Sequence, residues 1–194
     1  MIKSILVYCG ASKGNHPAYF EAAAELGKLM AQRGIRLVYG GGSIGLMGVV
    51  ADGVLQHGGV VTGVIPTFLN TKEVGHAGVT DMRETATMHQ RKAIMEQESD
   101  AIIALAGGFG TLDELFEILT WAQLGLHAKP IVLINTRNYY YHLLQQLDVM
   151  VQEGFLNTRN RSFVQVADTP EAALQLINQP PPQAEEVWLH PGQN

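Results

Sequence analysis

The sequence lacks the features that mark secreted and membrane proteins. It contains a single cysteine, Cys9, so no intrachain disulfide can form, which is typical of a reducing compartment. No apolar run approaches the ~20 residues that span a bilayer. The first ten residues lack the basic and apolar regions of a secretory signal peptide. We therefore expect a soluble, cytoplasmic protein with no membrane partner.

Basic residues are also scarce. The 194 residues include 13 Lys and Arg against 18 Asp and Glu, for a net charge of -5. Proteins that bind a nucleic-acid backbone usually carry a basic stripe, so we expect no nucleic-acid partner. A small phosphate ester remains a possible ligand, because a helix N-terminus can bind it without a basic surface.

Metal-binding and nucleophile motifs are absent as well. The seven histidines are scattered, with no His-Glu-x-x-His pattern and no set of cysteines, so we expect neither a metal nor a cofactor. The Gly-x-Ser-x-Gly nucleophile motif is missing too. Nothing in the sequence pairs Cys9 with a base, and we predict that this thiol is buried or of local importance only, rather than a nucleophile.

What is present is a regular alternation of strand-like and helix-like segments. The apolar β-rich runs predict strands at Ile5–Tyr8, Leu37–Tyr39, Val60–Ile65, Ala101–Leu105, Ile131–Ile134 and Phe163–Val166. Helical spacing and stop signals predict helices at Pro17–Arg33, Gly45–His57, Thr87–Glu98, Thr111–Leu124, Tyr139–Glu153 and Pro170–Ile177. This order predicts an α/β fold, with a parallel sheet covered by helices on both faces.

Two segments do not follow the alternation. Thr67–Ala86 is polar and without a period, and we predict a long loop there, of the kind that is usually functional or mobile. The proline-rich end predicts an extended or disordered tail over residues 179–194. Residues 1–178 would then form a single domain.

A glycine-rich loop, Ala106 to Glu114, follows a predicted buried strand and opens a helix. Glycines allow a ligand to approach the backbone, and the free N–H groups of the first helical turn favour an anion. Thr111 can cap this helix and can also donate its hydroxyl to a phosphate. The alternative is a tight turn with a threonine cap and no ligand.

Two other loops end strands at the same edge of a parallel sheet. Gly40 to Gly48 has Gly-x-x-G spacings but lacks the Gly-Lys-Ser/Thr of a P-loop. Cys9 to Ser12 follows the first strand, and Ser12 either contacts a phosphate or is a turn residue. Tyr139, Tyr140 and Tyr141 begin a helix, and we expect them to serve packing.

Charged residues flank the Ala106 loop in the sequence. Arg91 and Lys92 lie on the helix that leads into the strand before it, and an arginine can clamp a phosphate with two bonds. Asp113 and Glu114 lie in the first turn after it, where either could simply compensate the helix dipole. Adjacent carboxylates cannot share a helix face, so at most one should point at a ligand. That one could stabilise an oxocarbenium-like transition state or activate water.

The sequence resembles the LOG family of cytokinin riboside 5′-monophosphate phosphoribohydrolases, long mislabelled as lysine decarboxylases. The resemblance covers roughly Ile5 to Leu156. It is carried by four segments: Met88-His89-Gln90-Arg91-Lys92, Gly107-Gly108-Phe109-Gly110-Thr111-Leu112-Asp113-Glu114, Gly40-Gly41-Gly42 with Gly45-Leu46-Met47-Gly48, and Thr120-Trp121-Ala122-Gln123-Leu124-Gly125. One departure is Ala106, where the family usually has proline, and this change removes no donor or charge.

The resemblance implies a Rossmann-like fold, a homodimer with sites near the interface, and hydrolysis of purine nucleoside 5′-monophosphates to a free base and ribose 5-phosphate. It places the catalytic pair at Arg91 and Glu114. Substrate contacts carry over to Glu73, Lys92, Gly108, Phe109, Gly110, Thr111 and Thr120, and the motifs and strand ends add Ser12, Gly42, Met88 and Gly107.

Two other functions remain open. The chain could be a non-catalytic purine nucleotide sensor, which would bind AMP without turnover. It could also be a pyridoxal-phosphate decarboxylase, as the older family label implies, which would need a lysine that forms a Schiff base. Lys92 is the only candidate in a suggestive position.

Overall fold

The fold is built on a seven-stranded parallel sheet. The computed structural model describes residues 2–70 and 75–180, and all statements about structure below concern these residues. The strand order is β4-β3-β2-β1-β5-β6-β7, and every neighbouring pair is parallel. The strands are β1 (Ser4–Tyr8), β2 (Arg36–Tyr39), β3 (Val61–Pro66), β4 (Asp81–Thr85), β5 (Ala101–Ala104), β6 (Ile131–Ile134) and β7 (Val164–Ala167).

Helices connect the strands and cover the sheet. They are α1 (Pro17–Gln32), α2 (Gly45–Leu55), α3 (Thr67–Asn70), α4 (Met88–Gln97), α5 (Phe109–Gln123), α6 (Tyr141–Gln152), α7 (Thr158–Arg161) and α8 (Pro170–Leu176), with a 3-10 turn at Thr136–Asn138. None of these helices is both long enough and apolar enough to cross a lipid bilayer.

The core lies in two layers, one on each face of the sheet. β1 is buried along its whole length, and its side chains alternate between the two layers. Ile5 and Val7 pack in the layer under α1, α2 and α8, and Leu6 and Tyr8 pack in the layer under α4, α5 and α6. Burial on both faces explains why the strands read as continuous apolar runs. The predicted doubly wound, Rossmann-like α/β fold is therefore confirmed.

The strand order creates a crevice at the centre of the sheet. The chain proceeds from β1 outward through β2, β3 and β4, and then returns to place β5 on the other side of β1. The loops after β1 and β5 consequently diverge, and open α/β sheets bind ligands at such a switch point.

The predicted loop at Thr67–Ala86 is wrong in part. It contains helix α3 and strand β4, which pairs with β3 from Thr62↔Asp81 to Pro66↔Thr85. β4 is an edge strand of charged and polar residues, Asp-Met-Arg-Glu-Thr, and only Thr85 is fully buried. Charged residues are common on edge strands because they discourage pairing with a strand of another molecule. In β4 they replace the apolar pattern from which a strand would have been predicted.

Two predicted helix starts also shift. The helix predicted from Thr111 begins at Phe109, and the helix predicted from Tyr139 begins at Tyr141 after the 3-10 turn. Most of the predicted tail lies outside the described residues, and the division of the chain at residue 178 stays a prediction.

Candidate active site

A cavity of about 610 Å³ opens at the switch point of the sheet. Its walls come from the loop after β1, which includes Ser12, and from the loop between β5 and α5, which includes Gly107. The two loops are joined where the Gly10 N–H donates to the Ala106 carbonyl at 3.0 Å. The cavity is large enough for a nucleotide-sized ligand.

The N-terminus of α5 forms one wall of the cavity. Gly108 is the N-cap and offers no side-chain cap, so the N–H groups of the first turn lack helical partners. The predicted role of Thr111 as the N-cap is wrong, because Thr111 lies inside the first turn and is 4% exposed. Gly107 must be glycine here, since a Cβ would lie 2.1 Å from Thr111 Oγ1. The wall is thus made of exposed amides on a helix end that favours anions.

Arg91 reaches the cavity from α4. The Thr87 hydroxyl caps this helix by accepting from the Gln90 N–H at 3.2 Å, which sets Arg91 in the first turn. The Arg91 guanidinium donates to the carbonyls of Val64 at 3.1 Å and Gly40 at 3.2 Å. A Cβ on Gly40 would lie 2.0 Å from Arg91 Nη2, so this glycine leaves the space that the guanidinium fills. A carbonyl of β3 and the carbonyl of the residue that follows β2 therefore hold the arginine in place.

Glu114 meets Arg91 at the cavity. Arg91 Nη1 lies 3.4 Å from Glu114 Oε1, and the two side chains are only 11% and 12% exposed. The neighbouring Asp113 is 63% exposed, so the two adjacent carboxylates take different directions, as the helix geometry requires. Burial raises the pKa of the Glu114 carboxyl, and the positive charges of Arg91 and Lys92 oppose that shift.

Lys92 does not line the cavity in the described part of the chain. Its ammonium binds the carboxylates of Asp113 at 2.7 Å and Glu117 at 3.2 Å. Burial lowers the pKa of Lys92, but the bonds to Asp113 and Glu117 outweigh it and hold that pKa above its ordinary value. Lys92 therefore connects α4 to α5 through two ion pairs.

The structure brings most of the predicted site residues together. Those that line the cavity are Ser12, Arg91, Gly107, Gly108, Phe109, Gly110, Thr111 and Glu114. Met88 is not among the described residues that line the cavity, but its sulfur lies 4.0 Å from Arg91 Nη1.

Two predicted contacts, Gly42 and Thr120, lie elsewhere in the structure. Gly42 forms an isolated bridge with Gly75, and the Thr120 hydroxyl donates to the Phe116 carbonyl at 2.7 Å. Neither Gly42 nor Thr120 is among the described residues that line the cavity. Glu73 lies outside the described residues.

Sequence reasoning missed several residues of the cavity. Lys13, Tyr19, Met47, Leu69 and Tyr139 line it too. Tyr140 packs in the core as predicted, at 1% exposure, but Tyr139 faces the cavity. The position of Tyr139 just after β6 could have indicated this, because that strand also ends at the carboxyl edge of the sheet.

Cys9 lies at the floor of the cavity and is buried, as predicted. Burial raises the pKa of its thiol strongly, and the negative charge of Glu114 adds to the shift. The thiol therefore stays protonated and is a poor nucleophile. Among residues 2–70 and 75–180, no group of three or more His, Cys, Asp or Glu side chains is placed to hold a metal ion.

Solved structures share this fold. A molybdenum cofactor binding protein from Rippkaea orientalis matches with a TM-score of 0.65 and 27% identity, over 91% of this chain and 96% of that one. A Moco carrier protein from Chlamydomonas reinhardtii matches with a TM-score of 0.67 and 24% identity, over 90% of this chain and 94% of that one. At this identity the second likeness concerns the fold alone.

Sequence comparisons give a closer relation. A family model described as "Possible lysine decarboxylase" matches residues 47–177. The cytokinin riboside 5′-monophosphate phosphoribohydrolase LOG1 of Arabidopsis thaliana is 46% identical over 185 residues, which cover 95% of this chain and 87% of that protein. The probable enzyme of the same name LOGL2 of Oryza sativa subsp. japonica is 45% identical over 185 residues, covering 95% and 76%. The chain therefore belongs to the LOG family of phosphoribohydrolases.

Proposed function

We propose that this protein hydrolyses the N-glycosidic bond of purine riboside 5′-monophosphates, cytokinin nucleotides and AMP among them, to a free base and ribose 5-phosphate. The observation that carries the proposal is the buried Arg91–Glu114 pair, 3.4 Å apart, in a cavity that also contains the N-terminus of α5. The names of the relatives from rice and Arabidopsis support the same reaction.

The 5′-phosphate binds at the N-terminus of α5. The first-turn N–H groups of Phe109, Gly110 and Thr111 have no helical acceptor, and a phosphate oxygen supplies one. The helix dipole adds a favourable interaction with the charge of the phosphate. Ser12, on the opposite loop, contributes a hydroxyl.

Glu114 acts on the ribose. It lies one turn into α5 and lines the same cavity, so a phosphate at the helix end places the sugar beside its carboxylate. When the bond between the anomeric carbon and the base nitrogen breaks, the bonding electrons leave with the base and positive charge develops on the sugar. The carboxylate stabilises that charge and orients water, whose hydroxyl bonds to the anomeric carbon while its proton goes to the base.

Arg91 holds this carboxylate in position and in its ionised form. Its own guanidinium is fixed by hydrogen bonds to the carbonyls of Val64 and Gly40, so it provides a positive charge at a defined position beside Glu114. A positive charge at this distance favours the ionised carboxylate against the effect of burial. Arg91 also assists departure of the base by stabilising the negative charge that develops on it.

The older decarboxylase description does not fit the site. A Schiff base requires a neutral lysine amine, yet the Lys92 ammonium is bound to two carboxylates that raise its pKa. Lys92 also does not face the cavity in the described residues. We therefore assign the chemistry of the site to Arg91 and Glu114.

The experiment is to incubate the protein with AMP and with isopentenyladenosine monophosphate, and to measure the free base by chromatography. We expect Glu114→Gln and Arg91→Ala each to lower kcat by at least about 100-fold, the scale of losing a positioned catalytic group. Glu25→Gln, at an exposed position on α1, is the matched control and should retain full activity.

The outcomes separate the proposal from its alternative. Base release by both variants at the wild-type rate would exclude the assigned residues. Tight binding of AMP by wild type in calorimetry, with no base released from any nucleotide, would instead identify a nucleotide sensor.

A further inference from the structure

An unusual turn lies between β6 and α6. Two consecutive residues other than glycine, Arg137 (φ 56°) and Asn138 (φ 58°), have left-handed backbone conformations. Such residues are uncommon, and pairs of them persist only where the surroundings hold them. Here Asn135 holds the turn, because its N–H donates to the Ala167 carbonyl at 2.8 Å and its side-chain oxygen accepts from the Tyr140 N–H at 2.8 Å.

This turn presents two consecutive tyrosines to the β5–α5 connection. The buried Tyr140 hydroxyl donates to the Leu105 carbonyl at 2.6 Å, and the Tyr139 hydroxyl donates to the Gly107 carbonyl at 2.5 Å. The two phenols therefore fix two carbonyls that are two residues apart in the same loop. Tyr140 belongs to the core, whereas Tyr139 lines the cavity.

The bond from Tyr139 has a direct consequence for the anion-binding wall. The peptide between Gly107 and Gly108 is planar and trans, so its N–H points away from the carbonyl that Tyr139 holds. Glycines give this loop wide backbone freedom, and a Cβ on Gly108 or Gly110 would have no neighbour within 4 Å. Packing against these two glycines therefore does little to restrain the loop, and a hydrogen bond to Gly107 becomes important for its orientation.

Tyr139 also connects this loop to the opposite side of the cavity. Its ring meets the ring of Tyr19 on α1 edge to face, with centroids 5.8 Å apart. Tyr19 in turn lies against the loop after β1, where a Cβ on Gly14 would be 3.0 Å from its ring. One side chain thus contacts a glycine loop through its hydroxyl and a second loop through its ring.

We propose that Tyr139 is a positioning residue for the 5′-phosphate: its hydroxyl orients the Gly107–Gly108 peptide so that the amides at the start of α5 converge on the phosphate. This inference rests on the proposed function and assigns a role to a residue outside the Arg91–Glu114 pair. It requires that loss of the hydroxyl weakens binding of the phosphate-bearing part of the substrate and leaves the chemical step almost unchanged.

The test uses Tyr139→Phe, which keeps the ring and its contacts with Tyr19 and Tyr140. Calorimetry gives the affinities for ribose 5-phosphate and for adenosine, which lacks the phosphate, and steady-state kinetics give KM and kcat for AMP. We expect ribose 5-phosphate affinity to fall and KM to rise by about five- to tenfold, the effect of one hydrogen bond, with kcat within about twofold and adenosine affinity unchanged.

Tyr141→Phe is the matched control. Tyr141 is 52% exposed, and its hydroxyl accepts from Gln145 on its own helix at 3.1 Å. The control should bind ribose 5-phosphate as wild type does. Thermal unfolding and near-ultraviolet circular dichroism of both variants report whether the fold is retained.

Four results would overturn the proposal: unchanged ribose 5-phosphate affinity in Tyr139→Phe, an equal loss for adenosine, an equal loss in Tyr141→Phe, or no ribose 5-phosphate binding by wild type. The proposed function fails separately. If wild type releases no base from any nucleotide while Tyr139→Phe still weakens ribose 5-phosphate, the role of Tyr139 stands and the hydrolase activity does not.

Discussion

The pairing of Arg91 with Glu114 is a balance between two opposing effects on one carboxylate. Burial disfavours the ionised form and raises the pKa of Glu114 above the ordinary glutamate value of 4.5, and this is the largest effect. Arg91 and Lys92 act in the opposite direction. In the proposed mechanism the ionised form stabilises positive charge on the sugar, so we expect the arginine to extend activity to lower pH.

This balance predicts the pH dependence of kcat. Activity should rise with pH through the pKa of Glu114, with a midpoint above 4.5, because only the carboxylate form is active. Arg91→Lys keeps a positive charge and should keep a similar midpoint, whereas the residual activity of Arg91→Ala should show a midpoint at higher pH. The measurement is kcat for AMP across pH 4 to 9, at saturating substrate.

The same shift affects stability with a definite sign. Between 4.5 and the raised pKa of Glu114, the folded protein binds more protons at this site than the unfolded chain does. Glu114 therefore lowers the free energy of unfolding as pH rises through this window. In the pH dependence of kcat, a midpoint for Arg91→Ala that equals or lies below the wild-type midpoint would contradict this account of the pair.

At the scale of elements, an ion-pair network fixes the edge strand β4. Glu98, at the C-cap of α4, binds Arg83 of β4 at 2.6 Å and Arg36 of β2 at 3.1 Å. Arg36 also donates to the Glu98 carbonyl at 2.8 Å. The hydrogen bond from Arg83, opposed by some desolvation, lowers the pKa of Glu98, and Arg36 lowers it further. The network thus joins two strands, β2 and β4, to the C-terminal end of α4.

We expect Glu98→Gln to lower the free energy of unfolding at pH 7 by about 0.5–1 kcal/mol, since the groups are partly exposed and screened. That loss corresponds to a fall in Tm of roughly 1–4 °C. Glu98 has a lowered pKa in the folded state, so its stabilisation is present above its ordinary value of 4.5 and is lost as pH falls through the lowered pKa. The gap between variant and wild type should therefore shrink in acid.

Asp148→Asn is the control for this network. It removes one exposed pair, with Arg161 at 2.8 Å, and should change Tm by less than Glu98→Gln does. Equal Tm values for Glu98→Gln and wild type at pH 7 would show that β4 is held without the network.

At the scale of the whole molecule, the proposed homodimer concerns the outer surface of α5. Phe109 is 94% exposed and Phe116 is 37% exposed, and their spacing of seven residues places them on one face of the helix. Phe109 also borders the cavity. A second copy that covers this face would lie beside the site and remove apolar surface from water.

We expect a solution mass of twice the 21.1 kDa of the chain, measured by size-exclusion chromatography with light scattering. Phe116→Asp places a charge on the proposed interface and should shift the protein toward the monomer. Phe155→Asp alters another exposed phenylalanine, which is not part of α5, and should leave the mass unchanged. A monomeric wild-type protein at micromolar concentration would contradict the dimer.

The sequence alone determined the class of the fold and, through the family resemblance, indicated Arg91 and Glu114 as the candidate catalytic residues. Continuous apolar runs of strand length indicate burial on both faces of a sheet, and glycines directly after such runs mark the loops at its carboxyl edge, because both signals are local. The motif around Arg91 and the one ending at Glu114 indicated the family. The charged strand β4 was not predicted, because an edge strand does not require an apolar pattern.

Only the tertiary structure decided which side chains meet. Arg91 and Glu114 come within 3.4 Å because α4 and α5 flank β5, while Lys92, one residue away, turns to Asp113 and Glu117. Tyr139 reaches Gly107 from a turn 32 residues later in the chain, through two consecutive left-handed residues, Arg137 and Asn138, of which only the asparagine commonly adopts that conformation. Local patterns specify period and turns, but contacts between distant segments depend on the strand order and on how the helices pack across it.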